Sequence, residues 1–124
     1  MYKLYFDGAC KGNPCDRMGL GCVIYRDNKV EKEISKLLVK SGGTNNIAEY
    51  SACYLGIATC KESGIRNLEV YGDSLLVINQ MKGSWKVKNE KLKKIHQHIK
   101  MLCGSFDSIT FQHIPRARNS EADS

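Results

Sequence analysis

The sequence predicts an α/β domain in which helices cover a mixed sheet. Three observations predict it. Alternating runs rich in Tyr, Phe and Val come first, joined by turns. Runs with helical spacing then alternate with short strand-like runs. The composition, 42% hydrophobic and 26% charged over 124 residues, suits a single core. Hairpins followed by strand–helix–strand crossovers imply antiparallel pairing on one side of the sheet and parallel pairing on the other. The whole chain, 1–124, reads as one domain.

Residues 2–7 (YKLYFD) are expected to form a strand ended by Gly8. Residues 11–18 turn through Gly-Asn-Pro, and 19–26 (GLGCVIYR) form a second strand. Asp27-Asn28 suits a hairpin turn. Residues 29–38 alternate loosely, as a third strand at or near an edge, and Ser41-Gly42-Gly43 breaks the chain. From 45 to 62, apolar residues at 47, 50, 54, 57 and 58 predict a helix that Gly64 ends. Residues 67–72 (NLEVYG) are a strand, and 74–82 a helix stopped by Gly83. Over 89–103, Leu92, Ile95, Ile99 and Leu102 make one helical stripe, with lysines and histidines on the remaining surface. Residues 108–114 are a last strand, ended by Pro115. Asn119 looks like the N-cap of a helix cut off at Ser124.

The net charge is +6. Residues 81–101 hold seven lysines against one acid, Glu90, and the rest of the chain is balanced. Such a local field suits a polyanion, nucleic acid first, or else a solvated lysine-rich helix face. No apolar run approaches the roughly 20 residues that span a bilayer. The N-terminus lacks the layout of a signal peptide. Membrane partners are therefore not expected, and the cytoplasm is the expected location. The six cysteines show no C-x-x-C pair and no zinc spacing, so reduced thiols are expected, several packed as small hydrophobes.

Four carboxylates sit at element ends. Asp7 closes the first strand and Asp73 follows the fourth. If those strands are parallel neighbours, both reach the carboxyl edge of the sheet, where open α/β sheets place ligands. Glu49 and Asp123 lie in the first turns of the first and last helices. Four converging carboxylates repel, and Mg²⁺ would resolve the repulsion. Each also has a plainer role. Asp7-Gly8 could be a turn, Glu49 the partner of Asn46 in a capping box, Asp73 an N-cap, and Asp123 a first-turn acid.

Together these residues resemble a family. Asp7-Gly8-Ala9-Cys10-Lys11-Gly12-Asn13-Pro14 is similar to the opening motif of type 1 ribonuclease H. Thr44-Asn45-Asn46-Ile47-Ala48-Glu49 resembles its second motif, Tyr71-Gly72-Asp73-Ser74 its third, and Asn119-Ser120-Glu121-Ala122-Asp123 its last. The resemblance implies a three-layer fold with sheet order 3-2-1-4-5. It implies endonucleolytic cleavage of the RNA strand of an RNA–DNA hybrid, leaving a 3′-OH and a 5′-phosphate. Two Mg²⁺ ions about 4 Å apart, which Mn²⁺ can replace, would activate water and stabilise the leaving oxygen. The implied metal ligands and catalytic residues are Asp7, Glu49, Asp73 and Asp123. Asp7 would bridge the ions, and Glu49 would also touch a ribose 2′-OH. Asn13, Asn45, Asn46 and the backbone of Cys10 match positions facing the minor groove. Thr44 and Asn89 match a pocket for a DNA-strand phosphate. A monomer is expected.

The chain departs from the pattern in four places. The basic insert of longer members is missing, since Trp85-Lys86-Val87-Lys88-Asn89 joins the next helix directly. Grip on the hybrid then falls to Lys82, Lys86, Lys88 and that helix, with Trp85 expected in the core or else leaning on a sugar or base. Gly42 stands where the phosphate pocket often has Arg. His113 fits a mobile-loop histidine by count, but by pattern it ends the last strand, so Arg116 or Arg118 is expected to approach the site instead. His96 and His98 are expected at the surface. The sequence ends one residue after Asp123, which implies a shortened last helix. Two competing readings share the fold: a hybrid-binding domain with weak or no activity, and a nuclease acting on DNA.

Overall fold

In the computed structural model, residues 1–12 and 14–119 are described. β1 (Tyr2–Cys10), β2 (Cys15–Arg26) and β3 (Lys29–Gly43) come first. α1 (Asn45–Glu62), β4 (Asn67–Gly72), α2 (Leu75–Met81), α3 (Glu90–Cys103) and β5 (Ser108–His113) follow. A 3-10 turn, Arg116–Arg118, precedes Asn119. The sheet order is β3-β2-β1-β4-β5. The expected 3-2-1-4-5 order is what the structure shows.

β1 alternates as a half-buried strand should. Leu4 and Phe6 are fully buried in the core, while Lys3 and Tyr5, on the opposite face, are only partly covered. The strand pairs antiparallel with β2 and parallel with β4. The β2–β3 hairpin turns on Asp27 and Asn28, with φ of 50° and 68°. Two left-handed residues in succession make the turn whose twist matches the flanking strands. β3 runs on to Gly43, past the expected break, because Cys15 pairs with Gly43 beyond a register shift.

Two parallel registers position the site. Phe6 pairs with Gly72, and Gly72 pairs with His113. Asp7 and Asp73 each follow one of these paired residues, so both carboxylates reach the same sheet edge.

α1 lies between the sheet and α3. It buries Ala48, Ala52, Gly56 and Cys60 together with Tyr50, Cys53 and Ile57. Small residues face the strands: a Cβ on Gly56 would stand 2.7 Å from Leu4, and Cys22 Sγ donates to Ala52 O. Tyr50 faces the other way, towards Gln80 on α2 and His96 on α3. This two-sided burial displaces the expected stripe and leaves Tyr54, expected on it, exposed. On α3, Leu92 and Ile99 are buried and Ile95 and Leu102 pack partly beneath, as their spacing predicts.

Two sequence expectations are corrected. Cys10 and Cys15 form a disulfide, with Cα atoms 6.0 Å apart, so not all six cysteines are thiols. The chain reverses between β1 and β2, which brings together residues that linear spacing keeps apart. Cys22, Cys53 and Cys60 are buried free thiols, as expected. Trp85 is 45% exposed rather than in the core. Val87 takes the inward position instead, and Gln80 Nε2 ties the loop down by donating to Lys86 O.

Candidate active site

Asp7, Glu49 and Asp73 each bring a carboxylate oxygen within 4.8 Å of the other two. Asp7 is 8% exposed. Their elements explain the convergence: Asp7 lies on β1, Asp73 just past β4, and Glu49 on the helix packed against β1.

The helix approaches closely because Gly8 has no side chain. A Cβ there would stand 2.1 Å from Ala48 O. The same approach lets Gly8 N–H donate to Glu49 Oε1 at 2.6 Å. Glu49 is thus not the capping-box partner. Thr44 caps α1, its hydroxyl accepting from Ile47 N–H at 3.1 Å. Nor is Asp73 an N-cap, since Ser74 caps α2.

Burial, reinforced by the charges of Asp7 and Asp73, pushes the Glu49 carboxyl up to about 9. The Gly8 N–H favours the ionised form but does not offset this. Three crowded carboxylates supply hard oxygen donors, a set that suits Mg²⁺ or Mn²⁺.

The sequence model of the family described as "Reverse transcriptase-like" matches residues 5–124. Ribonuclease HI of Halobacterium salinarum is 32% identical over 96% of this chain and 59% of its own length. A bifunctional protein of Mycobacterium tuberculosis is 36% identical over 94% of this chain and 32% of its own. The chain thus spans a third to three-fifths of these curated relatives. The solved Halobacterium ribonuclease H1 superposes with a TM-score of 0.92 at 32% identity, covering 98% of this chain and 91% of that one. A ribonuclease H1 termed LC11, solved with an RNA/DNA hybrid, superposes at 0.91 with 32% identity, covering 99% and 91%. The chain belongs to the ribonuclease HI family.

Within this ribonuclease HI domain, the remaining expected residues fall into groups. Asp123 and Asn13 lie outside the described residues. Asn45 Oδ1 accepts from Cys10 N–H at 2.9 Å, so that N–H is engaged within the chain. Asn46 is exposed beside it. Lys86 and Lys88 are exposed between α2 and α3.

Thr44, Asn46, Asn89, Lys91 and Gly42 line a cavity of about 450 Å³ between the starts of α1 and α3. Asn89 caps α3, its Oδ1 accepting from the N–H groups of Lys91 and Leu92. Both caps use their acceptor on the backbone. The Thr44 hydroxyl and the Asn89 amide nitrogen keep donors to offer. Gly42 leaves space that Lys91 enters: a Cβ on Gly42 would stand 3.1 Å from Lys91 Nζ.

His113 ends β5, as the pattern predicts, yet it reaches the site: Nε2 lies 3.2 Å from Asp73 O. A carbonyl only accepts, so this nitrogen donates. Arg116 and Arg118 are exposed on the 3-10 turn. His98 is exposed, but His96 is half-buried, with Nε2 3.1 Å from Gln80 O. Asn119, expected only as a helix cap, is fully buried beside Asp73. Its place four residues ahead of Asp123 in the last motif is the one signal in the sequence that points to the site.

Proposed function

We propose that this chain is a metal-dependent endoribonuclease that cleaves the RNA strand of RNA–DNA hybrids, leaving a 3′-OH and a 5′-phosphate. One observation carries the reading: three carboxylates within 4.8 Å at the carboxyl edge of a ribonuclease HI sheet. The hybrid bound to the LC11 relative supports the substrate.

Asp7, Glu49 and Asp73 would hold one divalent ion, and Asp7 with Asp123 a second. Bound there, the ions supply an activated water and neutralise charge on the scissile phosphate. The protein's own part is positioning. Gly8 N–H fixes Glu49, and the β1–β4 register fixes Asp7 against Asp73. Asn45 and Asn46, with Asn13 by its place in the first motif, would meet the minor groove, where 2′-hydroxyls mark RNA. Thr44, Asn89 and Lys91 hold a phosphate of the DNA strand, and Lys86 and Lys88 extend that grip by charge.

The test is a hybrid labelled on either strand, incubated with Mg²⁺ or Mn²⁺. RNA-strand cleavage with 5′-phosphate ends, lost in Asp7→Asn, is expected. No cleavage by the wild type, or equal cleavage of an all-DNA duplex, defeats the reading.

A further inference from the structure

The segment after β5 brings one amide into the carboxylate cluster. Asn119 is 0% exposed. Its Nδ2 donates to Phe6 O at 2.9 Å and reaches Asp73 Oδ2 at 3.4 Å. These groups belong to different strands, β1 and the end of β4. The amide orientation is fixed by chemistry, because turned over it would set its oxygen against two acceptors.

Asn119 Oδ1 is buried, with no hydrogen-bond partner among the described residues. Burying a polar amide costs free energy, so one beside a cluster of metal-ligand type asks for a reason. An apolar residue of the same size would fill the space without that cost. It could not, however, donate to Asp73. His113 holds the backbone carbonyl of Asp73, which leaves the carboxylate itself to be oriented by something else.

We propose that Asn119 is a positioning residue for Asp73. Its amide steers Oδ2 towards the shared face of Asp7 and Glu49 while tying that carboxylate to β1 through Phe6 O. The other carboxylate oxygen stays available to a cation. The role deepens the hybrid-cleaving reading, on which its activity arm rests.

The test measures metal binding and catalysis separately. Asn119→Leu keeps the volume and removes the amide. Asn119→Ser is the second variant should the first not fold, as judged by circular dichroism. Mn²⁺ affinity is measured by calorimetry on the full chain without substrate, and kcat and KM on a hybrid at fixed Mg²⁺. The expected result is a Mn²⁺ affinity weakened at least about fivefold and a lowered kcat, with KM for hybrid held within about twofold. In an Asp73→Asn background, the same Asn119 change should have no further effect on Mn²⁺ affinity. Unchanged Mn²⁺ affinity, or an equal loss in both backgrounds, overturns the proposal and leaves Asn119 a structural residue. Calorimetry needs no cleavage, so failure of the hybrid-cleaving reading would be seen apart from failure of this one.

Discussion

Gly8 N–H and Glu49 Oε1 stand 2.6 Å apart, joining the strand that carries Asp7 to the helix that carries Glu49. The bond forms only because nothing projects from Gly8 into the carbonyl of Ala48. Gly8→Ala should push α1 from β1 and cost about 1–3 kcal/mol, as overpacking does. Cleavage should fall further than that loss of stability explains. Urea denaturation alongside hybrid cleavage checks both effects.

Glu49 also sets how the metal-free protein responds to pH. Its carboxyl is raised from an ordinary 4.5 to about 9, first by burial and then by its acidic neighbours. The unfolded chain therefore loses this proton at lower pH than the folded one. Its stabilising effect is complete below about 4.5 and drains away as pH rises towards 9. Thermal melts in a chelator should show stability falling across that window. Glu49→Gln should flatten the fall, and saturating Mg²⁺ should remove it.

The Cys10–Cys15 bridge closes a short loop, which on loop-closure entropy is worth about 2 kcal/mol. Reduction, or the pair Cys10→Ser and Cys15→Ser, should lower the denaturation midpoint accordingly. Burial pushes the Cys22 and Cys60 thiols up to about 12 and raises Cys53 as well. Alkylation of the folded, reduced protein followed by mass spectrometry should therefore spare these three.

Lys86, Lys88 and Lys91 are exposed cations at the start of α3 and in the loop before it. Replacing any one by Ala should lower the slope of log affinity against log salt by about 1, as loss of a phosphate contact does. Binding titrations at several salt concentrations test this. Lys91→Ala should be the most damaging, because Lys91 alone of the three lines the cavity between Thr44 and Asn89.

Much of the fold and the site is legible in the chain. The alternation of β1, the Asp27-Asn28 turn and the stripe of α3 depend on neighbours in sequence and appear as expected, although β1 runs past Gly8 to Cys10 and β2 opens at Cys15, inside the expected turn. Asp7, Glu49 and Asp73 follow from element ends and motif order. What escapes depends on contacts between distant residues. Gly43 stays in β3 because Cys15 pairs with it, against the local tendency of Ser41-Gly42-Gly43 to break. The buried face of α1 eludes a periodicity argument because two layers bury the helix, so no single stripe describes it. Asn119 reads as a cap because no local pattern reveals Phe6 O and Asp73 Oδ2 as its partners.

The Phe6–Gly72 register has a consequence for the order in which the protein is made. The β1–β3 meander can close as soon as its own residues leave the ribosome, since its pairings are between successive strands. Asp73 cannot join Asp7 and Glu49 until β4 has emerged and slotted in beside β1. A nascent chain that stops short of β4 therefore has a sheet but no cluster to bind metal. Any metal that needs all three carboxylates must therefore wait until Asp73 has been synthesised and folded in.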